Sequence, residues 1–256
     1  MDAIILGDGS MGRAIAAALG GRGEPAARLF GRPARGRHDP ADLGRADVVF
    51  EVSRGAAVAP NVASALAAGN RRFVIATTGW ETDRARVEAL LGEHGAAAVA
   101  APNFSPGVAL FLRLVETATT LFGSLDDFDP YLVEWHRRTK VDRPSGTAKE
   151  LARRILAAHP AKTRTADPAR DGPPAADELE VSVVRAGASP GMHLVGFDAP
   201  GETIELRHTA RDRSAYAAGA LAAADWLLRE PRSPGLHPFD PVVDELIAGV
   251  PAIAVA

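Results

Sequence analysis

Along the first hundred positions apolar residues fall in short unbroken runs, and the stretches between them carry helical periodicity. "AIIL" (3–6), "ARLF" (27–30), "ADVVFEV" (46–52), "RFVIATTGW" (72–80) and "AAAVAAPNFS" (96–105) read as strands. "SMGRAIAAALGG" after the first run and the Ala-rich "GAAVAPNVASALAAG" (55–69) after the third read as helices. Strands without alternation are covered on both faces, so strands of this kind separated by helices predict a doubly wound parallel sheet.

From Ser105 the texture changes. "GVALFLRLVETATTLFG" predicts an amphipathic helix and "FDPYLVEWH" a strand, and "SGTAKELARRILAA" is again helix-periodic. "ELEVSVVRAG", "GMHLVGF" and "ETIELRHTA" read as strands, the last alternating apolar and polar. The Pro-rich "TRTADPARDGPPAAD" (163–177) reads as a surface loop, and helix returns at "SAYAAGALAAADWLL". The expected fold is α/β: a Rossmann-like doubly wound parallel sheet, residues 1–105 plus 214–256, and a second α+β domain carrying an open mixed sheet, residues 106–213.

Composition narrows the function. With 256 residues, 46% hydrophobic and 24% charged, the chain is long enough for two packed domains. A net charge of -3 gives no general electrostatic basis for binding nucleic acid. The absence of cysteine removes disulfides, thiolate nucleophiles and thiolate metal sites together. No apolar stretch approaches the roughly 20 residues of a membrane span, no leader pattern is seen, and a cytoplasmic location is expected. His136, His193 and His208 are scattered without metal-ligand spacing, so no metal site is expected, and His193 and His208 read as structural.

Two stretches carry chemistry. In "AIILGDGSMGRA" a strand runs into Gly7, Asp8, Gly9, Ser10, Met11 and Gly12 and then a helix. That order suits a dinucleotide: the first glycine makes the turn, the second admits the pyrophosphate, the third lets helix pack on strand, and free helix amides meet the phosphate charge. After the second strand no acidic residue stands where NAD ribose would be bound, whereas Arg32 and Arg35 stand where a 2'-phosphate is paired, so NADPH is favoured with NADH still possible. Ligands in such sheets sit beyond the carboxyl ends of strands, which brings in Thr77, Thr78 and Gly79 after one strand and Pro102, Asn103 and Phe104 after another.

The second stretch is "VEWHRRTKVDRPSGTAKELA" (133–152). Thr147 and Glu150 have capping-box spacing, so amides near Gly146 and Thr147 point out of a helix N-terminus, a place for a carboxylate. Arg137, Arg138 and Lys140 bring cations, and His136 brings a group able to move a proton near neutral pH.

"EWHRRTKVDRPSGTA", with "GDGSMG", "ATTGW", "APNFSPGV" and "VRAGASPGMHLVGF...ETIELRH", resembles the 4-hydroxy-tetrahydrodipicolinate (dihydrodipicolinate) reductase family of the diaminopimelate route to lysine, over nearly the whole chain. The resemblance implies NAD(P)H-dependent reduction of a small dicarboxylate, His136 as acid/base and Lys140 as proton donor. It implies substrate binding by Ser145, Gly146 and Thr147, and cofactor contacts from residues 7–12, Ala76 to Thr78 and Ala101 to Phe104. It also implies a homotetramer built through the second domain's sheet. Arg137 replaces the family's second histidine; it offers a stronger carboxylate fork but cannot titrate. Met192 replaces an acidic residue, and "FEVSR" a "DFTxP"-like strand end. These departures leave open a related reductase of another cyclic imine or enamine acid, or a silent NADP-binding sensor.

Overall fold

The computed structural model describes residues 1–33, 36–167, 169 and 171–248. The chain divides into two compact units, Met1–Pro106 with Arg213–Ala256, and Gly107–Asp212.

The first unit is laid down as β1 (Ala3–Leu6), α1 (Ser10–Gly21), β2 (Arg28–Phe30), α2 (Pro40–Leu43), β3 (Val48–Glu51), α3 (Val58–Ala67), β4 (Arg72–Ile75), α4 (Arg84–Glu93) and β5 (Ala97–Ala100). The second unit then carries α5 (Pro106–Phe122), β6 (Asp129–His136), α6 (Gly146–Ala158), β7 (Arg164–Thr165), β8 (Glu178–Arg185), β9 (Met192–Ala199) and β10 (Glu202–Thr209). The chain returns to the first unit with α7 (Ser214–Arg229), β11 (Gly235–His237) and α8 (Asp240–Ile247).

The first sheet has the order β11-β5-β4-β3-β1-β2, parallel throughout. Its central strands are unbroken apolar runs because both faces are covered: Ile4, Ile5, Leu6, Val48, Val49 and Phe50 are fully buried. Burying each such side chain is worth about 1.5–3 kcal/mol. Val58 and Val62 of α3 and Val87 and Leu91 of α4 share one core with Ile4, Leu6, Val49, Phe73 and Ile75. α7 packs on α1, where Arg22 pairs with Asp225 at 2.8 Å. The strands are shorter than the apolar runs predicted; β4 stops at Ile75, and residues 76–80 form the turn beyond it.

The turn after β1 is held by close backbone packing. Gly7 has φ +129°, and a Cβ there would lie 2.6 Å from the Val52 carbonyl oxygen. A Cβ on Gly12 would lie 1.9 Å from the Gly7 carbonyl oxygen, so α1 can cross the turn only with glycine at this position.

The second sheet runs β10-β9-β6-β8-β7 and is mixed: β6 is parallel to β8 and antiparallel to β9. β10 is antiparallel to β9 and β7 parallel to β8. Phe111 and Val115 of α5 and Leu151 and Ile155 of α6 cover one face, packing on Leu132, Leu179, Val195 and Phe197. The other face leaves Trp135 and Val184 exposed. The stretch 163–177, expected as a plain surface loop, is tied at its base. Arg164–Thr165 pairs with β8, and buried Lys162 donates from Nζ to the carbonyls of Ala176 (3.0 Å) and Glu178 (2.8 Å) and pairs with Asp129 (2.5 Å).

Substituting Gly12 by Ala forces overpacking of about 1–3 kcal/mol. Gly20→Ala, near the end of α1 with nothing within 4 Å of its Cβ position, is expected to stabilise by about 0.4–1 kcal/mol. Urea unfolding distinguishes them, and equal effects for the two substitutions would contradict this packing.

Candidate active site

The alternation of β6 sends Leu132, Glu134 and His136 to the covered face and Val133 and Trp135 to the open one. Strand register then assembles the site. Across the antiparallel pair Glu134 stands opposite His193 of β9, and across the parallel pair His136 stands beside Arg185 of β8.

Glu134 has no solvent exposure. Its Oε1 accepts from the backbone N–H of Ser145 (3.0 Å) and from Nη2 of Arg185 (2.7 Å). Its Oε2 lies 3.4 Å from Nδ1 of His136 and 3.6 Å from Nε2 of His193. Burial pushes the carboxyl pKa up, yet the nearby His193 and the bonds from Ser145 and Arg185 outweigh it and hold the group well below the usual carboxylate range. Arg185, half-buried, also donates to the carbonyl oxygens of Asp142 (2.5 Å) and Val184 (2.9 Å), tying the loop before α6 to β8.

His136 is 7% exposed, and its pKa is lowered to about 4. Burial is the largest cause, followed by the neighbouring His193; Lys140 and Arg185 add to it, and Glu134 opposes it. At neutral pH His136 is therefore an uncharged imidazole. Burial, His193 and the cations Lys140 and Arg185 favour the uncharged ring, which can accept a proton.

The helix start also differs from its expected form. Ser145, not Thr147, is the N-cap of α6: its Oγ accepts from Ala148 N–H (3.2 Å) and its carbonyl from Lys149 N–H (2.9 Å). Glu150 instead pairs with Arg153 and Arg154, and its carboxyl is lowered to about 2, chiefly by the Arg153 bond. The amides of Gly146 and Thr147 project from this end beyond the capping bonds. Ser145 Oγ also lies 3.2 Å from Nε2 of His193. Lys140 follows one turn of loop after β6 and pairs with Asp142 at 2.7 Å. Arg137 is exposed, with its Nε donating to Thr139 Oγ1 (3.2 Å). It lies outside the buried cluster, and so does exposed Arg138.

Sequence reading missed Glu134, Arg185 and His193. His193, expected to be structural, stands 5.2 Å by ring centroid from His136. With Glu134 they place three metal-capable ligand atoms within 4.8 Å of one another. The Arg185 guanidinium on the same carboxylate already supplies the positive charge that a cation would bring. His208 is packed against Phe111 at 5.8 Å.

In the first unit the glycine turn has the form a dinucleotide needs. Gly9 is the N-cap of α1 without a side-chain cap bond, and a Cβ there would meet nothing within 4 Å, which leaves an open cradle at the helix amides. Asp8, Ser10 and Met11 flank it, and the Asp8 carbonyl accepts from Arg13 Nε (2.9 Å). Arg32 is exposed beyond β2, and Arg35 lies outside the described residues. Thr77 is committed elsewhere: its Oγ1 is 3.1 Å from Oε1 of buried Glu51, which also accepts from Ser53 and Asn61. Ala76, Thr78, Ala101, Pro102 and Asn103 are at least partly exposed. The Phe104 side chain turns into the core against Phe239 (4.9 Å), so a ligand can reach its backbone alone.

A parallel α/β unit opening on such a turn, in one chain with a unit that gathers imidazole, ammonium and a free helix end, defines an NAD(P)H-dependent oxidoreductase. The sequence model of the family described as "Dihydrodipicolinate reductase, C-terminus" matches residues 107–242. The 4-hydroxy-tetrahydrodipicolinate reductase of Methanoregula boonei is 36% identical over 197 residues, 77% of this chain and 74% of that protein. The enzyme of that name from Archaeoglobus fulgidus is 37% identical over 199 residues, 76% and 75% of the two chains. A solved dipicolinate-bound dihydrodipicolinate reductase from Paenisporosarcina sp. TG-14 shares the fold, with TM-score 0.67 and 18% identity over 93% of this chain and 97% of that one. This chain belongs to the 4-hydroxy-tetrahydrodipicolinate reductase family.

Because His136 is buried neutral, the folded protein binds fewer protons than the unfolded chain between about pH 6.5 and 4. Its contribution is complete above pH 6.5 and is lost as pH falls toward 4, by about 3 kcal/mol at most. Denaturant unfolding at pH 7 and pH 5 should show this loss, and His136→Gln should reduce it; an unchanged pH dependence in the variant would contradict the buried neutral ring.

Proposed function

We propose that the chain reduces 4-hydroxy-tetrahydrodipicolinate to tetrahydrodipicolinate in the diaminopimelate route to lysine, with NADPH as the favoured reductant. The observation that carries this reading is the grouping of His136, Lys140 and the free Gly146 and Thr147 amides around one strand end and one helix N-terminus. Identity above 30% to reductases of that name, over three quarters of the chain, supports it.

The turn from Gly7 to Gly12, with Ala76 to Thr78 and Ala101 to Phe104 at the neighbouring strand ends, would hold the dinucleotide. Arg32 would pair with the 2'-phosphate, which favours NADPH, and NADH remains a permitted substrate. The reduced nicotinamide, when bound, supplies the hydride. The chain's own residues do the rest. The amides of Gly146 and Thr147, ordered by the Ser145 cap, hold one substrate carboxylate. Exposed Arg137 presents a fork to the substrate in place of a second imidazole, and its substitution leaves the buried cluster unaltered. Loss of the 4-hydroxyl together with a proton from the adjacent ring carbon releases water and leaves a ring double bond conjugated with the imine. Hydride adds at the carbon that lost the hydroxyl, the electron pair of that double bond moves toward the ring nitrogen, and Lys140 delivers the balancing proton to the conjugated system. Uncharged His136 accepts or returns a proton at Nε2 and orients the substrate. Retention of His136, Lys140 and the Ser145 cap disfavours the silent sensor.

The exposed sheet face bearing Trp135 and Val184 supports a homotetramer built through this sheet.

Oxidation of NADPH and NADH, followed with freshly generated 4-hydroxy-tetrahydrodipicolinate, tests substrate and cofactor together. Turnover with both and a lower KM for NADPH is expected; no turnover with either would overturn the reading. Lys140→Ala should lower kcat by about 10²- to 10⁴-fold with NADPH affinity nearly unchanged; kcat within a few-fold of wild type would remove Lys140 from the role. Trp135→Glu should shift the assembly from tetramer toward smaller species in light scattering, and an unchanged mass would contradict the sheet interface.

A further inference from the structure

Glu134 joins Ser145, Arg185, His136 and His193 in the second unit's site. Oε1 is fixed by two donors, Ser145 N–H and Arg185. Oε2 is buried without a hydrogen bond of ordinary length and faces two imidazoles, at 3.4 Å from His136 Nδ1 and 3.6 Å from His193 Nε2. His136 Nδ1 is likewise buried and lacks such a bond. Two complementary polar atoms facing each other across 3.4 Å inside a protein are a hydrogen bond waiting on a small closure.

The other edge of the imidazole is kept open by the backbone. Gly191 has φ +152°, and a Cβ there would stand 3.0 Å from His136 Nε2. The absence of a side chain at Gly191 leaves Nε2 the accessible nitrogen.

We propose that Glu134 is the positioning residue that sets the tautomer of His136: its Oε2 takes the Nδ1 proton, leaving Nε2 as a bare acceptor on the edge that Gly191 keeps clear. Which nitrogen of a neutral histidine carries the proton is fixed by the partner of the other nitrogen. The same oxygen, with Ser145 Oγ at 3.2 Å, receives the Nε2 proton of His193, so the two rings and the helix cap share one anion. This deepens the reading of His136 as the acid/base group and rests on it.

Glu134→Gln inverts the arrangement with little change of shape. The Gln Oε1 stays where Ser145 and Arg185 donate, so the amide NH₂ faces His136 Nδ1. Nδ1 must then accept, and Nε2 carries the proton. A wrong tautomer in the catalytic triad of serine proteases costs about 10⁴-fold in kcat; a loss of about 10²- to 10⁴-fold is expected here, with KM for NADPH within twofold of wild type.

The test is ¹⁵N NMR of histidine-labelled enzyme at pH 7.5, with the His136 signals assigned by their loss in His136→Gln, alongside kcat and KM. The expected result is a proton on Nδ1 in the wild type and on Nε2 in Glu134→Gln, with the fall in kcat. A wild-type His136 protonated on Nε2 overturns the proposal whatever the activity, and this spectrum decides even where the variant does not fold. Reversal of the tautomer with kcat unchanged would also overturn it. The expected wild-type tautomer with a fully active His136→Gln would support the positioning and overturn the acid/base reading of His136.

Discussion

A carboxylate without solvent exposure can persist only where donors replace its lost hydration. Glu134 meets that constraint by drawing in the Arg185 guanidinium, the Ser145 amide and two imidazoles, each from a different segment. The consequences spread outward. Arg185 reaches on to the Asp142 carbonyl, so the loop carrying Lys140 is ordered through the same charge. Ser145, held at its amide, is placed to cap α6, and that cap leaves the next two amides facing outward.

The first unit contains an instructive contrast. Glu51 is equally buried, but its donors from Ser53, Asn61 and Thr77 are all neutral, and burial pushes its pKa up. Glu134 has a guanidinium at 2.7 Å and is held low instead. The same residue type, without solvent exposure in both places, takes opposite shifts: Glu134 has a guanidinium and two imidazoles beside it, Glu51 neutral dipoles only. Glu51 braces the ends of β3 and β4, where Thr77 spends its hydroxyl on structure rather than on a ligand.

Local pattern was enough for the elements with local causes. Apolar runs gave the parallel strands, and the glycine spacing gave the turn, because each feature depends on neighbours a few residues away. β11 escaped because three residues, Gly235–His237, carry too little pattern to read as a strand. The cap of α6 was misplaced by two residues because Thr147–Glu150 and Ser145–Ala148 offer overlapping spacings, and Glu150 was claimed by Arg153 and Arg154. His136 and Lys140 were legible from motif resemblance. Their supporting charges were not: Arg185 and His193 lie about fifty residues away, and they meet Glu134 only through a strand register that no single-sequence period encodes.

The most direct measurement of the account is a crystal structure with NADP⁺ and pyridine-2,6-dicarboxylate. It should show one carboxylate on the amides of Gly146 and Thr147, with His136 Nε2 and Lys140 Nζ within hydrogen-bond distance of the ligand. A ligand bound away from the α6 N-terminus, with His136 and Lys140 untouched, would contradict it.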